Sequence, residues 1–454
     1  MDATDAARRN HLRHADGRGR RANFQPGPWR KTGLPICRAN RGHRSGAAGK
    51  PPIPEPISGR FWQRARWRIG NPRQRPDLYR NRGPAQRSPE SPHPRSYRNL
   101  AHNRLIPTYL LNLLKIARGR RDLRPRLAMY FVTTQCNLNC AYCEDFGAHR
   151  NPGQTTSPGQ ENAKHILRVL RSGVARLWLT GGEPLLVPYL PELLDDAREK
   201  LRFREITLIT NGTLLSQRLE ILSRLDRLVI SLDSSDPLTL TAVNISQPCA
   251  EAVIAAVRQA AALQTRHGFR LMVNAVLTPE TLPGMDSLLE FCARQNILLS
   301  FSPQAFNNWP RYELLTAPEY RAFLEKALTA KTRGAPILDS RAYLRTLLEQ
   351  TPYDCYPTLT PRILPDGWLV YPCLPMEKAG GEQGGRAINL LDVDTWQQAW
   401  DAAQKRYGEP PSACHSCFQQ CYAEPSLMQS RPLELLAERL FYSRRVDLTT
   451  YAPG

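Results

Sequence analysis

Eight of the eleven cysteines fall into two groups whose spacing could do chemistry. Cys136, Cys140 and Cys143 lie within eight residues, in the pattern Cys-x3-Cys-x2-Cys. Three thiolates so spaced can hold three irons of a cubane 4Fe–4S cluster and leave the fourth open, as a catalytic metal requires. A zinc site, or three unrelated cysteines, is the plainer alternative. The second group is Cys355, Cys373, Cys414, Cys417 and Cys421. Its last three members also lie within eight residues. They are too close to be independent core cysteines, so a shared metal is expected, either a cluster or a structural zinc.

Both groups need rigid elements beneath them. A strand predicted over Leu127–Thr134 runs straight into the first cysteines. After it, apolar runs alternate with helical patterns, the signature of βα units on a parallel sheet. Further strands are predicted over Arg176–Thr180, Glu205–Thr210, Arg227–Leu232, Arg270–Leu277 and Ile297–Ser302. Helices are predicted over 160–171 (with Ser157 as cap), 189–200, 215–223, 250–266 and 285–295. Six such units are too few for a closed eight-fold barrel, so the expected fold is α/β, an open partial (β/α)6 barrel. Function in such folds sits at the C-terminal strand ends. Those ends carry Gly181, Gly182, Glu183 and Pro184; Thr210, Asn211 and Gly212; Ser231 and Asp233; and, on the fifth strand, Asn274. Two helices, over 318–332 and 340–350, lead into a Cys/Gly/Pro-rich region. There Asp366-Gly367 reads as a hairpin turn that presents Cys373. A helix over 433–445 closes the chain.

The formal net charge of +21 suggests a nucleic-acid partner until it is located. Residues 1–104 hold 24 Lys and Arg, 22 of them Arg, against 6 Asp and Glu, with 13 of the 39 prolines. The remaining 350 residues carry 38 basic and 35 acidic groups and are nearly neutral. The first segment shows no periodicity and cannot bury enough apolar surface to offset its ordering entropy. It is read as a disordered basic tail, or as residues outside the native protein. The expected organisation is thus 1–104 disordered, 105–335 the barrel, 336–425 a small separate Cys-rich module, and 426–454 a helix and tail. No membrane span or secretory signal is visible, and clustered cysteines suit a reducing compartment, so a cytoplasmic location is expected.

The cysteine triad after a first strand, followed by Gly181-Gly182-Glu183-Pro184 at the second strand end, resembles the radical S-adenosylmethionine (SAM) superfamily over about residues 127–302. The resemblance implies that SAM chelates the open iron through its amino and carboxylate groups. It implies that Tyr142 lies against the adenine and that the Gly-Gly-Glu-Pro element binds the SAM amino group. Thr210-Asn211-Gly212 matches another recurring element. Ser231 and Asp233 match a polar pair facing ribose or carboxylate, and Asn274 stands where the family is often polar. The family commonly has Gly after that Asp, where this chain has Ser234. The implied chemistry is reductive cleavage of SAM to a 5′-deoxyadenosyl radical that takes hydrogen from a substrate, with an electron donor such as flavodoxin or ferredoxin. The five later cysteines resemble the SPASM and twitch extensions, which carry auxiliary 4Fe–4S clusters; five suit the shorter, one-cluster form.

Relatives of this layout modify peptides or build cofactors, lipids and other small molecules. A peptide substrate is the leading expectation and a small molecule the alternative. Two readings of other classes stand beside them. A nucleic-acid-binding protein would use the basic tail, but no stacking pattern or binding fold accompanies it. An iron–sulfur electron carrier would not need the Gly-Gly-Glu-Pro element.

Overall fold

Six short apolar runs make six parallel strands: β1 (Ala128–Phe131), β2 (Arg176–Thr180), β3 (Glu205–Thr210), β4 (Arg227–Ser231), β5 (Arg270–Leu277) and β6 (Leu298–Pro303). Each pairs in parallel with the next, for example Tyr130 with Leu179 and Ile230 with Val273. Most of their residues are buried, as parallel strands covered on both faces require. The computed structural model describes residues 98–440, apart from 147–156, 307, 381, 413, 416 and 439. Among the described residues no helix is long and apolar enough to cross a membrane.

Five helices lie close to their expected ranges: Gln160–Gly173, Gln247–His267, Met285–Arg294, Pro318–Thr332 and Arg341–Glu349. Helix Gln160–Gly173 buries Ala163, Ile166, Leu167, Val169 and Leu170 as one stripe. Its cap is Gly159 and not Ser157, whose hydroxyl instead lies 2.6 Å from that of Tyr189. The segment 189–200 begins as an α-helix, Leu190–Asp195, and widens into a π-turn over Asp196–Lys200. The segment expected as a helix over 215–223 is two 3-10 turns.

The sheet does not close from β6 to β1. A tiny hairpin, β7 (Ala305–Phe306) and β8 (Trp309–Pro310), follows β6. The free edge of β1 is then taken by β9 (Arg362–Ile363), which is followed by β10 (Trp368–Tyr371) and β11 (Gly385–Asn389). The order is β11-β10-β9-β1-β2-β3-β4-β5-β6, one nine-stranded open sheet. β9 runs parallel to β1, with Met129 opposite Arg362, and β10 turns back against β9. The Asp366-Gly367 turn is present, with Gly367 at φ +91°.

The Cys-rich region thus shares one sheet with the barrel strands. It continues the barrel sheet, because β1 would otherwise expose an unpaired row of amides and carbonyls. Helix Gln420–Ser430, which the sequence reading missed, crosses the expected boundary at 425 and is buried from Tyr422 through Gln429. It also anchors a second missed element, helix Arg98–Ala117: the Tyr109 hydroxyl donates to the Met428 carbonyl at 3.2 Å. Order thus begins before 105, while residues 1–97 of the basic segment lie outside the described residues. A third missed helix, Trp396–Tyr407, starts on a capping box of Thr395 and Gln398. The last helix among the described residues spans Pro432–Ala437; of the helix expected over 433–445, residues 441–445 lie, with the rest of the chain to 454, outside the described residues.

Candidate active site

The cysteine triad sits on the loop that leaves β1, and the glycines after β2 decide where that loop runs. Gly182 N donates to the Thr133 carbonyl at 2.8 Å, and Glu183 N to the Gln135 carbonyl at 2.7 Å. A side chain on Gly182 would overlap the Gln135 carbonyl group and come within 2.9 Å of the Thr134 oxygen. One on Gly181, at φ +144°, would collide with the Thr133 backbone. Both glycines are needed so that this turn can clamp the cysteine loop, whatever else they later bind.

Glu183 is fully buried, and its carboxylate ties the β2 and β3 ends together. Its Oε1 accepts from Leu185 N at 2.9 Å and from the Thr210 hydroxyl at 2.6 Å, and its Oε2 accepts from Asn211 N at 2.7 Å. Burial raises its pKa to about 7 against the pull of these donors. Pro184 opens the short 3-10 turn that Glu183 caps. Asn211 then reaches the cysteine loop: its Nδ2 donates to Asn137 Oδ1 at 2.9 Å and stands 3.8 Å from Cys136 Sγ. Thr213 closes the set, accepting from Asn137 at 2.8 Å and donating to Asn211 at 2.7 Å. Gly212, at φ +78°, makes the turn that presents Asn211. Asn137 and Thr213 were not singled out from sequence; their only signal is adjacency to the motifs.

At the β4 end, the Tyr142 hydroxyl donates to Asp233 Oδ2 at 2.5 Å, and Val276 N donates to Oδ1 at 2.8 Å. Asp233 is buried, which raises its pKa to about 6. Its oxygens anchor Tyr142 and β5, so its visible work is to fix the aromatic ring beside the triad. Ser231 and Asn274 stand side by side in register on β4 and β5, and Asn274 Oδ1 accepts from Ser300 at 3.3 Å. Ser234 is buried; its hydroxyl accepts from Asp236 N at 3.1 Å and closes the loop that a family glycine would otherwise form.

The triad thiols are partly buried and none is in a disulfide. Burial above all, with the charges of Glu183 and Cys143 adding, pushes Cys136 up to about 11; burial, with Asp233 and Cys143 adding, pushes Cys140 up to about 12. Thiols so desolvated ionise only where positive charge meets them, as an iron ion would. The five later cysteines also gather. Cys355 N donates to the Cys414 carbonyl at 2.9 Å, and the Cys355 and Cys417 side chains share a hydrogen bond that raises Cys355 and lowers Cys417. Cys373 feels Cys417 and Cys414, and Cys421 feels Cys417. Among the described residues no three such side chains converge on one point as single-ion ligands do. A cubane takes each thiolate on a different iron, so it does not ask for that convergence. One partner in this region went unnoticed in the sequence: Arg362 of β9, whose guanidinium donates to Cys421 Sγ.

Known proteins resemble this chain in sequence and in fold. Residues 130–292 match the Radical SAM superfamily. GTP 3′,8-cyclase of Rhodococcus opacus (strain B4) is 32% identical over 229 residues, 48% of this chain and 62% of that protein. GTP 3′,8-cyclase 2 of Mycobacterium tuberculosis (strain ATCC 25618 / H37Rv) is 34% identical over 247 residues, 52% of this chain and 66% of that protein. The match thus spans about half of this chain and less than two thirds of either relative. The solved structure of native anSMEcpe with bound AdoMet has a TM-score of 0.50 at 16% identity, covering 70% of this chain and 100% of that one. It shares the fold. Over residues 130–292 this chain thus carries a domain that matches the Radical SAM superfamily.

Proposed function

We propose that the chain is a radical SAM enzyme of cofactor or other small-molecule biosynthesis, with Cys136, Cys140 and Cys143 holding the SAM-cleaving cluster. The observation that carries the site reading is the Gly181-Gly182 turn clamped by hydrogen bonds onto the cysteine loop. When bound, cluster and SAM supply a 5′-deoxyadenosyl radical that takes hydrogen from the substrate. The chain's own residues do the positioning. Glu183 locks the β2 and β3 ends, Asn211 steadies Cys136, and Asp233 fixes the Tyr142 ring as a wall for an adenine. Ser231 and Asn274 offer neighbouring polar groups for a ribose or carboxylate. The five later cysteines hold an auxiliary 4Fe–4S cluster, and an external donor such as flavodoxin or ferredoxin supplies electrons.

The expectation of a peptide substrate gives way to the small-molecule alternative. The relatives matched in sequence are named for a reaction on GTP, which supports a nucleotide as the first substrate to try. The test is anaerobic turnover of the reconstituted protein with SAM and reductant, with and without GTP. Formation of 5′-deoxyadenosine should rise severalfold with the nucleotide and be matched by a new nucleotide product. Stimulation by peptides but by no nucleotide would overturn the small-molecule reading.

A further inference from the structure

Arg362 is a buried guanidinium whose one hydrogen-bond partner among the described residues is a sulfur. It is 8% exposed, on the strand that joins the Cys-rich region to β1. Its Nη2 donates to Cys421 Sγ, and its buried Nε has no hydrogen-bond partner. The ring of Tyr422 lies 4.6 Å from the guanidinium carbon, and that of Phe131 5.9 Å. No carboxylate hydrogen-bonds to it among the described residues. The nearest acidic influence, Asp145, is paired with Lys378. A buried arginine is costly unless an anion meets it. Two aromatic faces contribute only about 1–2 kcal/mol each, well short of a desolvated charge. Cys421, with Cys373 and Cys417 near enough to feel the arginine, supplies the missing anion only if these are thiolates, as they are when they ligate metal. A cubane held by four thiolates is a net anion, and hydrogen bonds to its sulfurs and nearby charge set its potential.

We propose that Arg362 is the counter-charge of the auxiliary cluster, donating to a cluster-side thiolate and holding the cluster's reduction potential up. The proposal rests on the reading that these cysteines bind a 4Fe–4S cluster. It makes Arg362 a tuning residue that touches neither SAM nor substrate. The charge favours the reduced, more anionic state, so its removal shifts the potential in the negative direction.

The test uses the full chain with Cys136, Cys140 and Cys143 changed to Ala, which leaves the auxiliary cluster alone. Iron analysis of this parent should give about four irons per chain. About one zinc and no iron would overturn the cluster reading, a failure distinct from that of the inference itself. With the cluster present, redox titration followed by electron paramagnetic resonance compares the parent with Arg362→Met and Arg362→Lys. The Met variant should shift the reduced-to-oxidised ratio at least tenfold toward oxidised at a fixed potential, about 59 mV for one electron. The Lys variant, which keeps the charge, should shift less. A purely structural arginine would change cluster yield and leave the potential of the loaded fraction unmoved, and that result overturns the proposal. Should the Met variant fail to load, the parent decides. Its reduced cluster should show a proton coupling that disappears in deuterium oxide, and absence of that coupling also overturns the proposal.

Discussion

Gly182→Ala should disable SAM cleavage without dismantling the fold. The added Cβ would lie 2.5 Å from the Gln135 carbonyl carbon and 2.9 Å from the Thr134 oxygen, both backbone atoms of the loop that carries Cys136. Carbon contacts settle at about 3.5 Å or more, so turn and loop must part by about 1 Å. Overpacking of this kind costs about 1–3 kcal/mol in stability. A displacement of about 1 Å near reacting groups can cost about a hundredfold in rate. Gly268→Ala is the control. Gly268 caps helix Gln247–His267 at φ +75° with nothing within 4 Å, so the change costs about 1–2 kcal/mol of backbone strain away from the site. After anaerobic reconstitution, 5′-deoxyadenosine formation should fall at least tenfold in the first variant and hold in the second. Equal rates in the two would refute the claim that the Gly181-Gly182 turn positions the cysteine loop.

Tyr142→Phe removes the hydroxyl that meets buried Asp233, which should raise the SAM concentration needed for half-maximal cleavage severalfold and leave iron content unchanged; unaltered SAM dependence would remove Tyr142 from the binding wall. Replacing Cys414, Cys417 and Cys421 with Ala should lower iron from about eight to about four per chain, read by mass spectrometry, while some SAM cleavage persists; about four irons plus one zinc in the unmutated protein would instead mean a structural zinc site. At Asp122, burial alone would raise the pKa, but hydrogen bonds from Arg120, Lys115 and Gln404 prevail and hold it at about 2. Its contribution is then present above the ordinary carboxylate value and lost as pH falls through about 2, so Asp122→Asn should cost about 1–2 kcal/mol at neutral pH and visibly less near pH 3 in urea unfolding. A gap that does not narrow on acidification would show that this charge does not tie helix Arg98–Ala117 to helix Trp396–Tyr407.

The core sheet was legible because its strands are uninterrupted apolar runs, and β2, β3 and β5 begin and end where the pattern says. The site was legible in its residue types, since the triad and the Gly-Gly-Glu-Pro element lie at strand ends. What each residue does was less so. Gly181 and Gly182 stood out as an element for the SAM amino group; that they also make room for the neighbouring cysteine loop had no sequence signal. The hydrogen bonds of Asp233 to Tyr142 and Val276 had no sequence signal either, since they join residues far apart in the chain. Helix Gln420–Ser430 escaped notice because Pro425 sits inside it and it is buried nearly all round, which erases the amphipathic stripe. β9 is two residues long, so no periodicity could announce that the Cys-rich region completes the barrel sheet, nor that Arg362 would lie beside Cys421.

The central claim is that Cys136, Cys140 and Cys143 hold the cluster that cleaves SAM. Its most direct test is 5′-deoxyadenosine formation by the reconstituted protein with dithionite and SAM, against the chain in which all three are Ala. The account predicts product from the first and none from the second, with about four irons remaining in the variant. Undiminished product from the triple variant would contradict it.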